Sequence, residues 1–167
     1  MDASATSRAR VIVVGVDGSP SSIAALQLAV SLMPLAGDTL HAVAVWQHPI
    51  AFGRFSPPVE HDYEGLAREA LDQAVTEAFP QGTPSQVVEI ERRVVRGLAV
   101  EVLIQESRHA AMVVVGSRGH GGFAGLLLGS VSAALAERAQ CPVLVAHGAL
   151  HLTEGETTPL PPVQTPA

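Results

Sequence analysis

Along this chain, short β-branched runs alternate with stretches whose apolar residues recur every three or four positions. Val11-Ile12-Val13-Val14-Gly15-Val16 predicts a buried strand. Asp17-Gly18-Ser19-Pro20 breaks it, with Ser19 suited to cap a helix and Pro20 to its first turn. Ile23, Leu26, Leu28, Ala29 and Leu32 supply helical spacing until Pro34 and Gly37. Thr39–Trp46 reads as a second buried strand, and Gln47–Pro58 as a loop broken by Pro49, Gly53, Pro57 and Pro58.

From Asp62 the spacing predicts a second helix, carried by Tyr63, Leu66, Ala67, Ala70, Leu71, Ala74, Val75 and Ala78, and stopped by Pro80 and Gly82. Val87–Val95 is strand-like but more polar, as an edge strand would be. Gly97 precedes a third helix carrying Leu98, Val102, Leu103 and Ile104. Ala110–Val115 is a strand with no polar face, the pattern of a central parallel strand. A glycine-rich loop follows, then a helix from Gly129-Ser130 to about Ala139, and a last strand, Val143–Ala146, after Cys141-Pro142.

This β-α-β-α-β-α-β-α-β alternation predicts a doubly wound α/β domain, a parallel sheet with helices on both faces. The domain is expected to span residues 1–148. Residues 149–167, with the run Thr157-Thr158-Pro159-Leu160-Pro161-Pro162, read as a disordered Pro/Thr-rich tail. A chain of 167 residues suits one such core.

Charge and composition narrow the chemistry. The formal net charge is −6 and the cations are scattered, which disfavours a nucleic-acid partner. All ten cations are Arg. A Schiff-base lysine is therefore excluded, as is the lysine-bearing phosphate loop. Cys141 is the single cysteine, so no intrachain disulfide forms, and it reads as a structural thiol. The first residues lack the apolar stretch of a signal peptide, and no apolar run approaches the roughly 18 residues of a membrane span. No membrane association and a cytoplasmic location are expected. With a single cysteine and mostly dispersed histidines, a structural zinc site is not expected.

The informative stretch runs from Gly116 to Ser132. It joins a buried strand to a helix, the place where open α/β sheets bind ligands. Glycines let a backbone approach an anion closely, and the N–H groups of a helix opening at Gly129-Ser130 favour phosphate. The hydroxyls of Ser130 and Ser132 add donors. Arg118 and His120 lie in the loop, and each is either a phosphate contact or a solvated loop residue. Leu126-Leu127-Leu128 is either partly buried packing or a partner patch. Asp17 alone would be a turn residue before Gly18. His120-Gly121-Gly122 is like an esterase oxyanion segment, but the chain contains no G-x-S-x-G elbow.

Gly116, Gly119, Gly129 and Ser130 spell G-x-x-G, nine residues, then G-S. This resembles the ATP-binding signature of the universal stress protein family. The likeness extends over about residues 8–147 and includes the Val-x-Val-Asp-Gly-Ser opening. It implies a five-stranded parallel sheet of order 3-2-1-4-5, so that Asp17 and Gly116 face one crevice. There, Asp17 would meet the nucleoside end, Gly15 and Val16 would line the adenine pocket, and Val45 would pack near the base. Gly116 and Gly119 would admit ribose and phosphates, with Arg118 beside them. Gly129, Ser130, Val131 and Ser132 would bind the phosphate chain. The resemblance implies ATP as ligand, or ADP or another adenine nucleotide, with Mg²⁺ on the phosphates. It also implies a homodimer through the last strand, Pro142 to Ala146. The expected function is that of a regulatory nucleotide-binding protein of the stress response. The alternatives are a weak ATPase or nucleotidyl-transfer enzyme on the same fold, or a nucleotide-independent interaction protein. Leu98-Ala99 follows Gly97 where many members have proline, a departure that concerns helix entry.

Overall fold

The β-branched runs form strands because their side chains pack on both faces of a pleated sheet. A computed structural model describes residues 10–33, 38–48, 62–82, 89–119 and 127–148. The elements are β1 (Val11–Gly15), α1 (Pro20–Ser31), β2 (Thr39–Trp46), α2 (Tyr63–Ala78), β3 (Glu89–Arg96), α3 (Ala99–Ser107), β4 (Met112–Gly116), α4 (Ser130–Arg138) and β5 (Val143–Ala146). The five strands make one sheet in the order β3-β2-β1-β4-β5. Every pairing is parallel, with Val14 between Ala42 on β2 and Val114 on β4. The expected fold and strand order are both present.

Alternation along the strands sorts the core into two layers. Val14, Leu40, Ala42 and Val114 meet Leu26 and Ala29 of α1 and Leu71 and Val75 of α2 on one face. Val13, Val43, Val113 and Val115 meet Leu103 of α3 and Leu135 of α4 on the other. Central β1 and β4 are buried on both faces, which is why they carry no polar side.

Helix starts follow local chemistry. Ser19 accepts from the Ser22 N–H and Pro20 opens α1. Asp62 accepts from the Gly65 N–H at 2.8 Å and opens α2. Beneath the sheet, the Arg10 N–H and Nε donate to Asp38 Oδ1 and Nη2 donates to Oδ2 at 2.6 Å. This tie joins the start of β1 to the residue preceding β2.

Several boundaries differ from the sequence reading, with β3 ending at Arg96 and β4 at Gly116, each one residue later than expected. Strand β4 begins at Met112 rather than Ala110, because its register with β1 starts at Ile12↔Met112 and Ala111 lies in the bend before it. Strand β1 ends at Gly15, and Val16 adds one further bond to the Val43 carbonyl at 2.9 Å. Leu98 is not on α3. It is the extended residue ahead of it and is half exposed, at 51 %. Strand β3 holds the edge as expected. Its residues 87–88 lie outside the described residues, as do Pro34, Gly37, most of the 47–58 loop, His120, Leu126 and the 149–167 tail.

Candidate functional site

From β1 the chain winds outward through β2 to β3, then crosses back to β4 and β5. Loops leaving the adjacent ends of β1 and β4 therefore diverge, and a crevice opens between them. It measures about 650 Å³ and is lined by Gly15, Val16, Asp17, Val45, Gly116, Arg118, Gly119, Gly129, Ser130, Val131 and Ser132. That volume lies within the range of small-ligand sites. All eleven residues singled out from sequence thus share one cavity wall. Ser22, Val43, Ala99, Leu103, Val115, Leu128 and Ala133 complete the lining.

The floor is built from strand ends. Gly15 sits against Leu103 and Val115, where a Cβ would stand 2.9 Å from Leu103 Cδ1 and 3.1 Å from Val115 Cγ1. Backbone direction adds a polar pair. The Val43 carbonyl accepts from Val16 on the β1 side, while the Trp46 carbonyl accepts from Gly97 on the β3 side. Peptide groups alternate along a strand, so the N–H and C=O of Val45 face the β1 side. The β1 ladder stops at Gly15↔Val43, so these two groups point into the crevice.

Asp17 is both turn residue and wall. Its Oδ1 accepts from the Ser19 N–H at 3.0 Å and from the Ser19 hydroxyl at 2.6 Å, an Asx turn with Gly18 at φ 82°. Its Oδ2 faces Gly119. Across the crevice, Ser21 Oγ donates to the Arg118 carbonyl, fastening the start of α1 to the glycine segment. The Arg118 side chain is exposed.

The base of the glycine loop is closed by hydrogen bonds. The Gly129 N–H donates to the Ser117 carbonyl at 2.7 Å, and the Ser117 N–H donates to the Ala146 carbonyl at 2.8 Å. Ser132 is buried, and its Oγ donates to the carbonyls of Ser117, at 3.2 Å, and Gly129, at 3.1 Å. Its hydroxyl therefore ties the loop to α4. Ser130 is exposed at the first position of α4. No side chain caps that helix. Its first N–H groups have no partner within the helix and carry the positive end of its dipole.

The lining residues missed by sequence reading are mostly aliphatic. Leu103 carried a signal, its place on the apolar stripe of α3. Val43 and Val115 are ordinary core valines in sequence, and only strand register shows that they reach the crevice. Ser22 was hidden in the first turn of α1. Cys141 is half-buried against the core layer that holds Leu103 and Leu135, and burial pushes its thiol pKa up.

A doubly wound α/β fold with a glycine-walled crevice at its switch point and an uncapped helix end facing it defines a class, the open α/β proteins with a switch-point crevice. Within that class the chain belongs to the universal stress protein family, whose model matches residues 8–147. A universal stress protein of Mycolicibacterium smegmatis is 37% identical over 139 residues, covering 80% of this chain and 44% of the relative. One from Mycobacterium tuberculosis is 36% identical over 148 residues, covering 80% and 47%. The chain thus spans about half the length of the curated relatives it matches. Among solved structures, a universal stress protein in complex with cAMP superposes with a TM-score of 0.61 at 29% identity, over 84% of this chain and 98% of that one. A family protein from Arabidopsis thaliana with AMP bound has a TM-score of 0.53 at 21% identity, over 86% and 95%, a likeness of fold. No helix among the described residues is long and apolar enough to cross a membrane.

Proposed function

We propose that this chain is a regulatory adenine-nucleotide-binding protein that takes ATP into the β1/β4 crevice and acts as a homodimer in a cytoplasmic stress response. The observation that carries the reading is the facing of Asp17 and Gly119 in one crevice with the uncapped start of α4. The nucleotide-bound state of the 29%-identical neighbour, a complex with cAMP, supports an adenine nucleotide as the ligand class.

The parts then divide by chemistry. The apolar floor of Val43, Val45, Leu103 and Val115 takes the base, and the Val45 N–H and C=O offer it one donor and one acceptor. Oδ2 of Asp17 accepts from a ribose hydroxyl. Gly116 and Gly119 keep side chains off the sugar and first phosphate. Backbone N–H groups of Ser130, Val131 and Ser132, with the Ser130 hydroxyl, receive the phosphates. Arg118 reaches over them. Mg²⁺ fits as an ion held by phosphate oxygens and water. For this role Asp17 is the carboxylate of the lining. Strand β5 is a sheet edge with Val143, Leu144 and Val145 half-buried, and Pro142–Ala146 is the segment through which a second copy would pair.

Calorimetry with ATP, with and without Mg²⁺, on wild type and Gly129→Val tests the reading. Gly129 is extended, at φ −74° and ψ 170°, and a Cβ there makes ordinary contacts, the nearest 3.4 Å from the Ser117 carbonyl. The variant should fold by circular dichroism, while its branches crowd the phosphate approach. Saturable binding in wild type and loss in the folded variant is the expected result. An intact protein, stripped of any co-purified nucleotide, that binds no adenine nucleotide would remove this reading.

A further inference from the structure

Two walls of the crevice, α3 and α4, bury little of their surface. The start of α4 is fastened to the Ser117 carbonyl by the Ser132 hydroxyl and the Gly129 N–H, whereas no side chain fastens the start of α3. Helix α3 has nine residues, of which Leu103 and Ser107 are buried, and no side chain caps its start. Helix α1, on the other face of the sheet, buries six of twelve. Yet α3 carries Ala99 and Leu103 into the crevice, and Leu103 packs against Gly15 on its floor. Its attachments lie at the opposite end. Ser107 Oγ accepts from the Gln140 N–H at 2.9 Å. One residue earlier, Glu106 Oε2 accepts from Arg93 Nη1 of β3 at 2.6 Å. The Arg93 side chain is 33% exposed and that of Glu106 19%, so the pair is partly shielded from water. Arg93 is itself held by neighbours, with Nη1 3.4 Å from His41 Nδ1 and Nε 3.9 Å from Glu91 Oε1.

We propose that Arg93 and Glu106 are positioning residues for the crevice, their ion pair seating α3 so that Ala99 and Leu103 stand where the base must pack. The inference rests on the nucleotide reading above. A wall that wanders must be ordered by the ligand on binding, and that cost weakens affinity without any contact being lost. The pair lies with Gln105 and His109 in a separate cleft under the far end of α3, so neither residue touches the nucleotide.

The test is a double-mutant cycle on Glu106→Gln and Arg93→Gln, with the exchanged pair Glu106→Arg/Arg93→Glu and the control Arg92→Gln. Arg92 pairs with Asp72 of α2 at 3.1 Å, on the other face of the same strand. Nucleotide affinity should fall about five- to tenfold in either single variant, no further in the double, and recover in the exchanged pair. Arg92→Gln should bind as wild type does. In ligand-free protein, amide exchange of α3 should quicken in Glu106→Gln and not in Arg92→Gln. Unchanged affinity in Glu106→Gln, or an equal loss in Arg92→Gln, overturns the proposal. A wild type that binds no nucleotide overturns it together with the functional reading, and the exchange data then still show whether the pair seats α3.

Discussion

A Cβ on Gly119 would stand 2.5 Å from Oδ2 of Asp17, closer than two such atoms can sit. Asp17 is exposed and its Oδ1 is already bound to Ser19, so only Oδ2 would have to give way. Gly119→Ala should therefore cost little stability, under about 1 kcal/mol by urea unfolding. It should still turn the free oxygen away from the crevice. Nucleoside affinity, read by calorimetry, is expected to fall as much as in Asp17→Ala. A Gly119→Ala protein that binds as wild type does would separate Asp17 from the ligand.

The glycines of the motif are not equivalent. A Cβ on Gly116 would meet backbone, at 2.7 Å from the Ser21 carbonyl carbon and 2.8 Å from the Ser22 nitrogen, and neither can rotate aside. Gly116→Ala should lose roughly 1–3 kcal/mol, since overpacking against a fixed neighbour shifts whole elements. Gly129→Ala meets only ordinary contacts and should stay within about 0.5 kcal/mol of wild type. Equal thermal stability for the two variants would mean that β4 and α1 are not packed as closely as these distances require.

The contrast shows what the sequence carried. Spacing placed Gly116, Gly119, Gly129 and Ser130 in one crevice, because a parallel α/β sheet sends every such loop to the same edge. It could not say that Gly116 is bound to α1 by packing while Gly129 has room for a side chain. Ser132 is a similar case. As a motif hydroxyl it reads as a phosphate donor, but its place in the first turn of α4 points it back at the carbonyls of Ser117 and Gly129. Its role in the loop is a matter of helix geometry, which letters alone do not display. Val43 and Val115 were invisible as lining, since the letters do not show strand register. An aliphatic residue looks alike whether it faces a helix or a ligand, and register decides which. Asp17 was legible as a turn residue and as a crevice residue, and in the structure one oxygen is bonded in the turn while the other faces Gly119.

Ser130 offers a variant that separates folding from binding. It is exposed at the uncapped start of α4, where a carboxylate interacts favourably with the helix dipole. Ser130→Asp should gain about 0.3–1 kcal/mol in thermal or urea unfolding. The same charge would occupy the phosphate position and repel the ligand. A more stable protein that no longer binds ATP is the expected outcome. Undiminished ATP affinity in Ser130→Asp would move the phosphates away from α4.

Acid stability should depend on Asp38. Its side chain is buried, and the hydrogen bond from the Arg10 guanidinium, aided by the Arg10 N–H, holds its pKa below the ordinary carboxylate value against the opposing pull of burial. A carboxylate whose folded pKa is lowered binds protons more weakly in the native state than in the unfolded chain. Its contribution is therefore complete above the unfolded value, about pH 4. It drains away as pH falls further, through the lowered folded pKa. Above about pH 5 this group should leave the melting temperature flat, and below about pH 4 the melting temperature should drop. Asp38→Asn removes the titration while keeping the shape. Its melting temperature should be lower at neutral pH and should converge on that of wild type as the solution is made more acid. Parallel curves for the two proteins from pH 7 to 3 would show that the Arg10–Asp38 tie does not link the start of β1 to the residue before β2 in solution.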